Sequence, residues 1–224
     1  LSFRATKDLD IVLLLEAIDD EFVATLRQFI DDGDYEIRQR SEDGAPILYR
    51  FAKPEKEDFP HMLEIFSRVP EGIDLGDDQT IFPIPDDEAA HSLSAILVDD
   101  LYYDLIRNSA QTNDGIAFAD ATALIPLKAK AWLDLTERLA GGGQVNSKDV
   151  AKHRNDVFRI AGTLPGEAGP KISSEIQTDL SRFLDAFPED AEEWTAVLAS
   201  IKSTLGGNLK PGSLTAAIRT YFDL

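Results

Sequence analysis

The spacing of the apolar residues changes once along this chain, and that change constrains the fold more than any other feature. Up to Val98 they come in short runs separated by turn signals, and beyond it they recur at helical spacing. Leu9-Asp10-Ile11-Val12-Leu13-Leu14-Leu15 is a continuous β-prone run and reads as a central strand buried on both faces. Asp19-Asp20-Glu21 then opens a helix, with acids where the N-terminal dipole favours them. Phe22, Val23, Leu26, Phe29 and Ile30 fall on one face of it, and Asp32-Gly33 closes it. Residues 35–39 alternate as a strand, Ser41-Glu42-Asp43-Gly44 is a turn, and residues 47–51 answer as the hairpin partner. Residues 61–66 read as a further strand. Prolines, glycines and acids between 69 and 87 mark a loop with room for one short strand.

Past Val98, Asp99 is placed to cap a helix with Leu101, Tyr102, Leu105 and Ile106 on one face. Leu124, Leu127, Ala131 and Leu135 define a helix over 121–139, stopped by the turn Gly141-Gly142-Gly143. Ser147 is the expected N-cap of the next helix, which runs to about residue 160. Further caps are expected at Ser173-Ser174, Pro188-Glu189 and Pro211, and Trp132, Trp194 and Tyr102-Tyr103 read as helix-packing residues. The fold class is therefore α+β: a mixed sheet with flanking helices over residues 1–118, followed by a C-terminal helical bundle over 119–224. A chain of 224 residues suits one generous domain or two small ones.

Composition removes whole classes of chemistry. The chain has no cysteine, which excludes disulfides, thiolate zinc sites, iron–sulfur clusters and cysteine nucleophiles. That absence fits a reducing compartment, so a cytoplasmic location is expected. No apolar run approaches the ~20 residues that span a bilayer, and the opening Leu1-Ser2-Phe3-Arg4 lacks a signal-peptide core, so no membrane partner is expected. The net charge is −19, unevenly spread: residues 1–112 hold 26 acids and 10 bases, residues 113–224 hold 15 and 12. Broad capture of a nucleic-acid backbone is disfavoured, whereas a local basic site remains open. There is no P-loop, GxGxxG, HExxH, GxSxG or EF-hand motif, and His61, His91 and His153 are too scattered for a zinc site.

The sharpest local feature is Arg4-Ala5-Thr6-Lys7-Asp8-Leu9-Asp10, which runs straight into an apolar strand. Asp8 and Asp10 fall on one face of that strand, roughly 6.5–7 Å apart along the backbone. Side by side they repel, unless a cation sits between them or water solvates a strand end. Hard divalent ions take such oxygen ligands, with phosphate completing the shell. Glu64 is a third acid in an apolar strand. Were its strand beside that of Asp8 and Asp10, three carboxylates would converge in a form suited to two-metal phosphoryl chemistry. Against these acids stands a basic island: residues 124–160 carry seven bases and four acids. Asp149, Lys152, His153 and Asp156 share a helix face there. The plain reading is ion pairs on a solvated helix. The functional one makes Lys128, Lys152 and Arg154 a cradle for a triphosphate.

Taken in order, Arg4-x-Thr6-x-Asp8-Leu9-Asp10, Leu124-Ile125-Pro126-Leu127-Lys128-Ala129-Lys130-Ala131 and Lys148-Asp149-x-x-Lys152-His153-Arg154-Asn155-Asp156 resemble the AbiEii family of nucleotidyltransferases. That family belongs to the DNA polymerase β-like superfamily and includes toxins of type IV toxin–antitoxin systems. The resemblance implies a DxD at Asp8 and Asp10 that binds Mg²⁺ or Mn²⁺, with Glu64 as the candidate third carboxylate. It further implies nucleotide contacts at Arg4 and Thr6, a helical-domain lysine near Lys128, a Lys/Asp pair at Lys152 and Asp156, and Arg154 on the phosphates. The family pattern opens with a Gly-Gly or Gly-Ser pair upstream of the DxD, and here no glycine precedes Asp8. Two alternatives follow: the motif lies upstream of Leu1, or the member binds nucleotide differently.

The function expected is transfer of NMP from an NTP to an acceptor hydroxyl, with tRNA, another nucleotide or a protein as acceptor and an antitoxin as a further partner. The alternative is a degenerate member of the same fold that acts as a partner-binding module. A metal-dependent phosphoesterase using the same carboxylates is a third, weaker reading.

Overall fold

The computed structural model describes residues 8–12, 20–37, 50–68, 81–83, 94–97, 99–206 and 209–224. The protein is mixed α+β and mostly helical, and it divides into two compact units, Ala5–Tyr103 and Asp104–Leu224. The division falls inside a helix, between residues 103 and 104.

Among the described residues the first unit is a six-stranded mixed sheet with one helix on it. Its elements are β1 (Asp8–Val12), α1 (Asp20–Gly33), β2 (Glu36–Ile37), β3 (Arg50–Ala52), β4 (Met62–Ser67), β5 (Ile81–Pro83) and β6 (Ser94–Leu97). β4 is the hub. β1 runs parallel along one of its edges, while β3 (antiparallel) and β6 (parallel) share the other in succession. β2 extends the sheet beyond β3, and β5 extends it beyond β6, both antiparallel.

Strict alternation along β4 explains why the sheet has one dry face. Leu63, Ile65 and Ser67 are buried, and Met62, Glu64 and Phe66 are half-buried. Leu63, Ile65 and Phe51 meet Val23, Leu26 and Ile30 of α1 together with Tyr35, and Ile11 and Phe59 pack against the same cluster. Each such aliphatic side chain contributes about 1.5–3 kcal/mol by leaving water. Tyr35 also donates its hydroxyl to the carbonyl of Pro60 at 2.7 Å, which fixes the entry to β4. The helix, the hairpin pairing of β2 with β3 and the strand near residues 61–66 are as expected from sequence.

The run from Leu9 is not. Among the described residues β1 pairs with β4 alone, Leu9 is 45% exposed, and Ile11 and Val12 are only half-buried. The central place belongs to β4, whose alternating pattern lines one dry face. Leu13, Leu14 and Leu15 lie outside the described residues.

A helix, α2 (Asp100–Ser109), crosses from the first unit into the second, and Asp99 caps it by accepting from the Leu101 amide at 2.9 Å. The hairpin of β7 (Gln111–Asn113) and β8 (Ile116–Phe118) follows. Both residues of its tip have positive φ, Asp114 at 50° and Gly115 at 80°, the combination that a tight two-residue turn demands. Five helices complete the unit: α3 (Ala121–Ala140), α4 (Ser147–Ala161), α5 (Ser174–Asp185), α6 (Glu193–Leu205) and α7 (Pro211–Phe222). Their core is an aromatic cluster of Trp132, Phe158, Phe183, Phe187 and Trp194, with Phe158 and Trp194 centroids 4.5 Å apart.

Capping sets the helix starts. Asp120 accepts from the Thr122 amide at 2.8 Å, Asn146 from Lys148 at 3.0 Å and Ser173 from Ile176 at 3.3 Å. Ser147 is thus the first residue of α4 rather than its cap. The expected start at Pro188-Glu189 also moves, to Glu193, because the Pro188 carbonyl accepts the Trp194 indole N–H at 2.8 Å and holds a turn open before the helix. On α3 the fully buried stripe is Thr122, Ile125, Ala129 and Leu133, while Leu124, Leu127, Ala131 and Leu135 are half-buried. Packing against both α4 and α5 draws in two sides of the helix. Asp120→Ala should cost about 1 kcal/mol of stability, read from urea unfolding, because the Thr122 amide of the first turn loses its side-chain acceptor.

Candidate functional site

The expected site residues fall in both units. In the first, the decisive fact is the register of β1 on β4: Asp8 opposite Met62, Asp10 opposite Glu64, Val12 opposite Phe66. Residues in register on neighbouring strands share a face, so positions 8, 10 and 64 belong to the face opposite the dry one, with strands about 4.8 Å apart. Arg50 of β3 occupies the register position on the far side of Glu64, making a row of positions 10, 64 and 50 across the sheet. Asp10 is exposed and Glu64 half-buried. Arg4 and Thr6 lie outside the described residues.

Among the described residues no group of three or more His, Asp or Glu side chains stands together to hold a metal. The donor set nonetheless has the right chemistry for a hard cation. Asp10 and Glu64 supply carboxylate oxygens at adjacent positions, and a divalent ion of the magnesium type leaves most of its shell to water and phosphate. Placed so, the two acids gain from a cation between them, since like charges at adjacent strand positions otherwise destabilise the pair.

In the second unit, α3 and α4 bring together Lys128, Asp156 and Arg159. Lys128 Nζ lies 3.6 Å from Asp156 Oδ2, and the other carboxylate oxygen accepts from Arg159 Nη1. Arg159 Nη2 donates to the Ser200 carbonyl of α6 at 3.4 Å. The side chains of Asp156 and Arg159 are 13% and 10% exposed and that of Lys128 26%, so this is a largely desolvated network. The aspartate is taken by a lysine from the neighbouring helix and by the arginine three residues on, and Lys152 is left at the surface. Arg159 lies within the basic island. Its i,i+3 spacing from Asp156 was the signal.

Arg154 is half-buried and donates Nε to Asn155 Oδ1 at 3.2 Å. Burial pushes its guanidinium pKa down, and Glu193 opposes that shift. His153 is held below the ordinary histidine value first by burial and then by Lys128 and Lys152, with Asp156 and Asp149 pulling the other way. A neutral ring is therefore the folded form, and stability falls as pH drops below the ordinary histidine range, where the unfolded chain binds a proton that the fold resists. Lys130, by contrast, follows the plain reading: it pairs with Asp134 at 3.1 Å and Asp179 at 3.8 Å. A shallow groove of about 450 Å³ between α3 and α5, lined by Trp132, Thr136, Glu137 and Arg182 among others, contains none of the site residues expected from sequence.

Among the described residues no helix is long and apolar enough to cross a membrane. Set against models of protein families, curated proteins and solved structures, the chain matches none of them.

Proposed function

We propose that the protein is a metal-dependent nucleotidyltransferase of nucleotidyltransferase-like fold, acting in the cytoplasm, that moves NMP from an NTP to an acceptor hydroxyl and releases pyrophosphate. The observation that carries this reading is the parallel, in-register pairing of β1 with β4, which sets Asp10 beside Glu64 and puts position 8 on the same face. The pairing supports this reading because acids at 8, 10 and 64 could converge only on neighbouring strands. The resemblance to AbiEii-like enzymes points the same way, and a toxin-type role with an antitoxin partner rests on that resemblance.

Asp8, Asp10 and Glu64 would hold Mg²⁺ or Mn²⁺, which when bound supplies charge neutralisation at the transferred phosphoryl group. The acceptor oxygen bonds to the α-phosphorus, the bond to the β-phosphate oxygen breaks, and pyrophosphate leaves. Glu64 would serve either as a metal ligand or as the general base that accepts the acceptor's proton, and Lys128, Lys152 and Arg154 would neutralise phosphate charge. In such transfers catalysis is mostly positioning and electrostatics.

Calorimetry on the full-length protein tests the reading. One of the four common NTPs should bind saturably with Mg²⁺ present and not after EDTA, and no binding by any of the four ends the idea. One observation favours the rival, a degenerate partner-binding module: Lys128 is already paired with Asp156. α-Labelled NTP separates the two, since a transferase leaves label on an acceptor from cell extract and a degenerate member leaves none.

A further inference from the structure

We propose that His153 is a fourth member of the anion-binding group on α3 and α4, and that a phosphate-class anion and a proton bind there together. The inference rests on the assignment of Lys128 and Lys152 to phosphate made above, and it adds a ligand-linked proton to it.

Geometry motivates it. His153 lies one helical turn before Asp156, and Lys128 reaches that turn from α3 through its contact with the Asp156 carboxylate. The His153 Nδ1 atom is buried with no hydrogen-bond partner, and so is Arg159 Nε in the same network. Buried polar atoms are nearly always partnered, so an idle ring nitrogen one turn from the Lys128–Asp156 contact marks bonding capacity that the fold itself does not use. The charged groups around the ring are Lys128 from α3 and Asp149, Lys152 and Asp156 from α4, while Glu193 of α6 acts on Arg154 instead. With Arg159 the cluster holds three cations against two carboxylates, a balance that favours an anion.

The coupling follows from what keeps the ring neutral. Burial comes first, and the field of Lys128 and Lys152 comes next. An anion seated on those two lysines cancels their field and gives an imidazolium a partner, so it raises the titration point of His153. The sign is then fixed. The extra affinity is fully present below the titration point of the free protein and is lost as pH rises through that of the complex.

Histidine ¹³C-NMR on the full chain, with inorganic pyrophosphate as the probe, reads this directly. The His153 signal, assigned by through-bond correlation and checked with His153→Gln, should titrate below the ordinary histidine value alone and move up by about one unit at saturation. Between about pH 8.5 and about pH 5.5 the wild type should then gain about tenfold in affinity relative to His153→Gln, the anion's own titration being common to both. The wild-type titration needs no variant to fold. If pyrophosphate binds and the His153 titration stays where it was, this inference is overturned while the nucleotidyltransferase reading stands. If neither pyrophosphate nor Mg²⁺–NTP binds, both are overturned together.

Discussion

If Asp10 holds the metal of the proposed transferase, Asp10→Asn should lower Mg²⁺-dependent transfer from NTP by about 10²–10³-fold without lowering the melting temperature. The two halves of that expectation come from different facts. Asp10 is exposed on β1, so an isosteric amide disturbs no packing and leaves no buried group without a partner. The same substitution removes one of the charges that the register sets against Glu64. Glu64→Gln should fall by a similar factor. The double variant should fall little further than either single, because groups that act as a unit are not additive. Pyrophosphate release and circular dichroism on the same samples make the check. Unchanged turnover in Asp10→Asn at unchanged fold would remove the acids from the chemistry.

Asp156→Ala should destabilise the helical unit by about 3 kcal/mol, a drop of about 10 °C in its melting midpoint. The carboxylate sits between Lys128 and Arg159, and the arginine is mostly out of water, tied on its other side to the Ser200 carbonyl. Truncation leaves that guanidinium buried without its counter-charge, the costly way to break an ion pair. Replacing the whole set by apolar residues (Lys128→Met, Asp156→Leu and Arg159→Met together) should recover most of the loss, since no charge is then stranded. Both tryptophans of the chain, Trp132 and Trp194, lie in this unit, so fluorescence during urea unfolding reports on it alone. A cost below about 1 kcal/mol would mean that solvent screens the network as it does a surface pair.

These two outcomes also separate what could be read from the residues from what could not. Leu63, Glu64 and Ile65 announce a half-buried strand, because alternation is a local property and the sheet obeys it. That β1 lies beside β4 is invisible locally, since nothing in either run names its partner. For the same reason the run from Leu9 reads as central and proves marginal among the described residues. The β7–β8 hairpin carries its signal at Asp114-Gly115, but Gln111, Thr112 and Asn113 lack the apolar alternation that usually accompanies it. The pairing of Lys128 with Asp156 is tertiary, and within one helix Lys152 was the natural partner at i,i+4. The basic island was therefore legible as composition and only half legible as geometry.

The pairing that sets Asp10 beside Glu64 also has a kinetic meaning. The two residues are about fifty positions apart in the chain, whereas capping contacts and the β7–β8 turn close over a handful. Loop closure over that span is slow and is rewarded only once β4 is in place. The acids should therefore meet late, and a ligand that bridges them would act on the finished sheet rather than on its assembly. If the proposed Mg²⁺–NTP is that ligand, it should slow unfolding of the first unit and leave its folding rate almost unchanged, acting as a brake on opening.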